Sequence, residues 1–111
     1  MKVVRDDRDA VTLLRVEGKI MGGPDADTFK KVIKDLVAEG RNKVILDLNK
    51  VSWVNSTGLG ILISGHTTIK SNGGGMALIG VNQRIDQIFM VTKLNTIFQA
   101  YEDEASALAS F

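Results

Sequence analysis

Two adjacent hydroxyls, Ser56 and Thr57, lie where the sequence turns from a strand pattern into a helix pattern. An apolar run from Val44 to Leu48 reads as a strand, the segment Val51-Ser52-Trp53-Val54-Asn55-Ser56-Thr57-Gly58-Leu59-Gly60 follows, and a helix pattern extends from Thr57 to about Lys70. The first N–H groups of a helix lack partners within it and carry the positive end of its dipole, so a phosphate is well accommodated there. Asn55, Ser56 and Thr57 also suit an ordinary helix cap. Spacing alone favours the cap, because such caps are common.

Other residues offer less chemistry. The single histidine, His66, lies about ten residues along the same helix, roughly 15 Å from Ser56 at the helical rise, and cannot serve as its base. It falls on an apolar stripe, where a packed core histidine is expected. The Asn72-Gly73-Gly74-Gly75 stretch sits between helix and strand with no Gly-Lys-Ser/Thr after it, which makes it a turn and not a phosphate-binding loop. Asp6, Asp7, Asp9, Glu102, Asp103 and Glu104 fall in polar turn or terminal segments and read as solvated surface. Asp47 interrupts an apolar strand and is placed near the Ser56 loop, either as a structural carboxylate accepting loop N–H groups or in a chemical role. Trp53, the only tryptophan, is either a partner anchor or a core residue; Met21, beside Gly22 and Gly23, is a second candidate contact residue in a loop.

The positioning elements follow from periodicity. A strand from Val3, a charged turn over Asp6 to Asp9 and a strand from Val11 to Val16 predict a hairpin. Gly18 ends that strand, Ile20 adds a brief extended stretch, and Met21 to Pro24 forms a loop leading into a helix near Asp25. Ala26, Phe29, Val32, Ile33, Leu36 and Val37 recur at steps of three and four, giving that helix one core face up to Gly40. The next helix carries Leu59, Leu62, Ile63, His66 and Ile69 on one stripe. Met76 to Ile79 is a buried strand, about Asn82 to Val91 a helix facing inward through Ile85, Ile88 and Phe89, Ile97 to Ala100 a last strand, and Asp103 to Ala109 a terminal helix. Strand and helix alternate after the hairpin, which predicts an α/β domain with a mixed, mostly parallel sheet of four to five strands and about four helices. Ligand and contact groups in such sheets gather at the carboxyl ends of strands, which favours the Asn49 to Thr57 loop.

Composition bounds the function. The 111 residues suffice for one domain, residues 1–111, with one core. Fourteen basic residues against thirteen acidic ones are interspersed, so neither nucleic acid nor an anionic membrane is an expected partner. With no cysteine and one histidine, no metal site and no covalent cofactor are expected. The charged opening Lys2 to Asp7 does not suit a signal peptide and no apolar run approaches the ~20 residues of a membrane span, so a cytoplasmic protein is expected.

The segment from Val44 to Gly60 resembles the hallmark of bacterial anti-sigma factor antagonists, the single-domain members of the STAS superfamily: an apolar strand with Asp-Leu, a hydrophobic connector, then Asp-Ser-Ser/Thr-Gly-Leu-Gly. Gly73-Gly74 before a strand, the Ile85 to Phe89 helix, Thr92-Lys93-Leu94 with Ile97-Phe98, and Glu102 to Glu104 before Ala105 to Leu108 extend the likeness over nearly the whole chain. The resemblance implies a STAS-like fold and a protein switch that is not an enzyme. Unmodified, such a protein binds an anti-sigma factor that is also a serine kinase and so frees a sigma factor. Phosphorylation ends the binding, and a serine phosphatase resets it. Carried over, the phosphoacceptor is Ser56, with Asp47, Asn55, Thr57 and Gly58 around it; Met21, Gly22, Trp53, Ser56, Thr57 and Leu59 form the expected contact set, on a monomer or weak dimer. ATP and its Mg²⁺ belong to the kinase. Asn55 departs from the family pattern, which has an acid there; it accepts a hydrogen bond but cannot take a proton, with Asp47 as a possible substitute. Asn55 keeps an alternative open: a STAS scaffold or adaptor in a signalling or transport complex that uses the loop only for contacts. A small enzyme or anion binder is a third reading, without a catalytic constellation to support it.

Overall fold

The computed structural model describes residues 1–91 and 97–111. Its elements are β1 (Lys2–Arg8), β2 (Val11–Ile20), α1 (Pro24–Ala38), β3 (Lys43–Val54), α2 (Ser56–Ser71), β4 (Gly75–Ile79), α3 (Gln83–Val91), β5 (Gln99–Tyr101) and α4 (Glu104–Ala109). The strands form one sheet in the order β1-β2-β3-β4-β5. Among the described residues only the β1–β2 pair is antiparallel; the other pairs are parallel. This is the mixed α/β architecture expected from the alternation of periods.

Burial follows the same periods. On one sheet face Leu14, Val16, Leu46 and Leu78 pack with Phe29, Ile33 and Leu36 of α1, Leu59, Leu62 and Ile69 of α2, and Ile85 and Phe89 of α3. The other face is covered in part: Val11, Leu13, Ile45, Ala77 and Ile79 pack under Ala107 and Leu108 of α4. β3 therefore buries both faces over Val44 to Leu48, as its continuous apolar run requires. Helix α1 ends with Arg41 N–H donating to Leu36 O at 2.9 Å and Gly40 N–H to Val37 O at 3.0 Å, the paired bonds that close a helix around a glycine.

Four expectations are corrected. Asp6, Asp7 and Arg8 lie within β1, and the hairpin turn narrows to Asp9 and Ala10. An edge strand tolerates charges on its open side, and here Asp7 is ion-paired with Arg5 at 2.9 Å, so a charge run was not a turn signal. β2 continues past Gly18 to Ile20, staying paired with β3 through register shifts at Arg15/Glu17 and Gly18/Lys19. The segment after Leu48 is not a loop: β3 extends to Val54, with Val51 and Val54 buried and Ser52 and Trp53 exposed. The last strand is Gln99–Tyr101, two residues short of the expected start, because Phe98 turns into the core beside His66 and Phe89. Thr92, Lys93 and Leu94 lie outside the described residues.

Candidate functional site

The extension of β3 fixes the position of the hydroxyl pair. Ile20 and Val54 are paired in register, so β2 and β3 end together and the loops that follow, Met21 to Gly23 and Asn55, emerge side by side. Asn55 has extended backbone angles and caps α2: its Oδ1 accepts the Gly58 N–H at 2.7 Å, while its C=O accepts the Leu59 N–H at 2.9 Å. The N–H groups of Ser56 and Thr57 have no intrahelical acceptor by helix geometry, and both side chains are exposed. A cap and an exposed phosphoacceptor are thus compatible, because the cap is supplied by Asn55 and leaves the Ser56 hydroxyl outside it.

Asn55 has a second bond that no local pattern announced. Its Nδ2 donates to Met21 O at 2.9 Å, and its backbone N–H donates to Ile20 O at 3.3 Å. The Met21 N–H in turn donates to Asp25 Oδ2 at 3.1 Å, and that bond, first among the causes, holds the Asp25 carboxyl below its ordinary range. Asp25, in the first turn of α1, therefore also ties the Met21 loop to that helix. Nothing in the sequence beyond its place after Gly22-Gly23-Pro24 pointed to this.

Two glycines make the close approach possible. A Cβ on Gly58 would stand 1.9 Å from Ile20 O, so the first turn of α2 rests directly on the end of β2. A Cβ on Gly22, whose φ is +105°, would stand 2.6 Å from Thr57 Cγ2. The Thr57 methyl thus covers Gly22, and both loops form one surface.

The expected contact residues divide. Met21 is 42% exposed and Trp53 36% exposed, so both remain candidate contact residues, and Arg84 of α3 sits 5.7 Å from the Trp53 ring centre. Gly22, Ser56 and Thr57 lie on the same surface. Leu59 does not: it is 4% exposed and belongs to the core, because the first aliphatic side chain of α2 packs into the cluster on the sheet. Asp47 is also removed from the site. It precedes Val54 by seven residues of extended chain, roughly 23 Å at the strand rise, and its Oδ1 accepts both Asn49 N at 2.9 Å and Asn49 Nδ2 at 2.8 Å. Its other oxygen lies 3.7 Å from Arg15 Nε. This is the structural carboxylate alternative, and Asp47 cannot stand in for an acid beside Ser56.

His66 is buried, with its ring edge-on to Phe98 at 5.1 Å, and burial first, then the charge of Lys70, pushes its pKa down. Beside Thr57, a groove of about 440 Å³ runs between α1 and α2 over Phe29, Ile33, Val37 and Ile61, with Lys30 and Lys34 also lining it. Among the described residues no group of three or more His, Cys, Asp or Glu side chains is placed to hold a metal, and no helix is long and apolar enough to cross a membrane.

A mixed five-stranded sheet carrying an exposed serine at the start of its second helix defines a small α/β domain with a candidate site on its surface. The chain belongs to the STAS domain family, which it matches over residues 2–107. It is similar to a Thermotoga maritima protein whose name assigns it provisionally to the anti-sigma factor antagonists, at 30% identity over 90% of this chain and 88% of that one. It is also similar to the anti-sigma-B factor antagonist of Staphylococcus epidermidis, at 29% identity over 78% of this chain and 82% of that one. The crystal structure of a Thermotoga maritima protein with the same provisional assignment has a TM-score of 0.88 at 27% identity, covering 97% of this chain and 92% of that one.

Proposed function

We propose that this chain is an anti-sigma factor antagonist: a cytoplasmic, non-catalytic protein that binds an anti-sigma factor serine kinase and so frees a sigma factor. Phosphorylation of Ser56 ends the binding and a phosphatase restores it. The observation that carries the reading is the exposed Ser56 hydroxyl at the start of α2, left outside a cap made by Asn55. Met21, Gly22, Trp53 and Thr57 surround it as the contact surface.

The switch works by charge and not by refolding. A phosphoserine carries about −1.5 to −2 charge at pH 7. At an exposed helix start it is stabilised by about 0.3 to 1 kcal/mol, so the domain tolerates it. In a closely packed partner interface the same group must shed water, and an unpaired interfacial charge costs about 2 to 5 kcal/mol, where each 1.4 kcal/mol weakens affinity tenfold. The interface effect is the larger. Capture of partners from the source cell by unmodified protein, with and without ADP, tests the reading: recovery of a serine kinase that also binds a sigma factor is expected, and its absence under both conditions counts against it.

Asn55 supports a second reading, a scaffold that docks through the same loop without modification. The family acid is absent, and the Asn55 amide is already committed to Met21 O and Gly58 N–H. Mass spectrometry of the protein from its native cell separates the two, since a scaffold carries no phosphate on Ser56 in any growth condition.

A further inference from the structure

A second pocket, of about 410 Å³, opens at the opposite end of the sheet from Ser56, where β3 and β4 begin. Its ionisable nitrogen side chains are Lys43 from β3 and His66 and Lys70 from α2; no acidic side chain is among the described residues that line it. Neither lysine is ion-paired among the described residues. His66 is 9% exposed, and its Nδ1 is buried without a hydrogen-bond partner. A neutral ring with its proton on Nε2 leaves Nδ1 as the unpartnered acceptor and makes Nε2 a donor. Burial, and then the Lys70 charge, pushes the His66 pKa down.

The glycine turn does not cradle a ligand itself. The N–H groups of Gly73, Gly74 and Gly75 all donate within the fold, to Lys70 O at 3.1 Å, Ile69 O at 3.1 Å and Asn42 O at 2.9 Å. Any anion must be held by side chains. The Tyr101 hydroxyl donates to Gln99 Oε1 at 2.8 Å, which leaves its ring, with that of Phe111, as an aromatic wall.

We infer that this pocket binds a small phosphate-bearing molecule with an aromatic or apolar body, its phosphate held by Lys43, Lys70 and His66 and its body set against Tyr101 and Phe111. Two ammonium groups and one neutral donor match a compact dianion, and a phosphate alone would leave the aromatic wall unused. The site is separate from Ser56 and does not depend on the reading of that residue.

His66 is the only histidine, so its ring resonances report on this pocket alone. They are followed by NMR during titration with inorganic phosphate and with phenyl phosphate at constant ionic strength, with chloride as the control. A saturable shift is expected, tighter for phenyl phosphate by about tenfold, together with a rise in the His66 pKa of about one unit as the anion offsets the Lys70 charge. Combined Lys43→Ala and Lys70→Ala changes, both on exposed side chains, weaken binding by about tenfold or more without altering the melting temperature, and Ser56→Ala leaves binding unchanged. Shifts no different from those with chloride, equal affinity for both phosphates, or full binding by the double variant each overturn the assignment.

Discussion

At the scale of single residues, the hydroxyl of Ser56 and the amide of Asn55 divide one task between them. Asn55 satisfies the helix start, and Ser56 is left to the solvent. Ser56→Ala and Ser56→Asp are expected to melt within a degree or two of the parent, while only the Asp form loses partner affinity, by about thirtyfold or more; differential scanning calorimetry and a binding titration check both halves. Asn55→Asp keeps the acceptor for Gly58 N–H and gains a favourable charge at the helix start, yet it loses the donor to Met21 O and sets a carboxylate oxygen against that carbonyl. A hydrogen bond lost is worth about 0.5 to 1.5 kcal/mol, and the helix-end charge returns about 0.3 to 1. A small net loss, a drop of a few degrees in melting temperature, is expected beside a faster phosphorylation by the cognate kinase. An unchanged rate means that the family acid is dispensable here. Gly58→Ala places a methyl group into Ile20 O, so a destabilisation of about 3 kcal/mol is expected in denaturant titration, at the upper end for overpacking.

At the scale of elements, the helices were legible because their apolar residues repeat at steps of three and four. Phe29, Ile33 and Leu36 of α1 and Leu62 and Ile69 of α2 are buried as that spacing requires. The strands misled where their surroundings set their character. β1 carries Asp6, Asp7 and Arg8 because it is an edge, which its own residues do not announce. β3 changes partway from burial on both faces to alternating exposure, so Lys50, Ser52 and Trp53 resembled a loop. Leu59 and Asp47 share the family-like segment with Ser56 but not its surface; helix direction removes the first, and seven residues of extended chain remove the second. The bond from Asn55 to Met21 joins residues far apart in sequence and left no local trace.

α2 also carries a pH dependence. A base whose folded pKa is lowered, as His66 is by burial first and Lys70 second, leaves the unfolded chain holding more protons between the two pKa values. Stability therefore stands in full above about pH 6.5, the unfolded value, and falls as pH drops from there toward the folded value. The lowered carboxyls of Asp7, Asp25, Glu39 and Asp103 act only at more acid pH, below their ordinary values near 4. Denaturant titrations from pH 7.5 to 5 are expected to show a loss that His66→Gln removes; an unchanged slope in that variant would assign the loss elsewhere.

At the scale of the whole molecule, the sheet works as a rigid mount. β2 and β3 end in register, their loops are clasped together by Asn55 and by the contact of Thr57 with Gly22, and the exposed Ser56 follows directly from that platform, with Met21 and Trp53 exposed at the ends of the same two strands. The position of the serine within an α/β frame was readable from sequence; the platform that presents it required the tertiary pairing. Because the contacts that build the platform do not include the Ser56 side chain, a charge added there is expected to change what the surface can meet and to leave the fold beneath it intact.

The most direct measurement is the affinity of the captured kinase partner for this protein in its unmodified form and with phosphate on Ser56, each form checked for an unchanged melting temperature. The account predicts at least about a tenfold weaker complex for the phosphorylated form with both forms equally folded. Equal affinities, or a phosphorylated domain that has come unfolded, would contradict it.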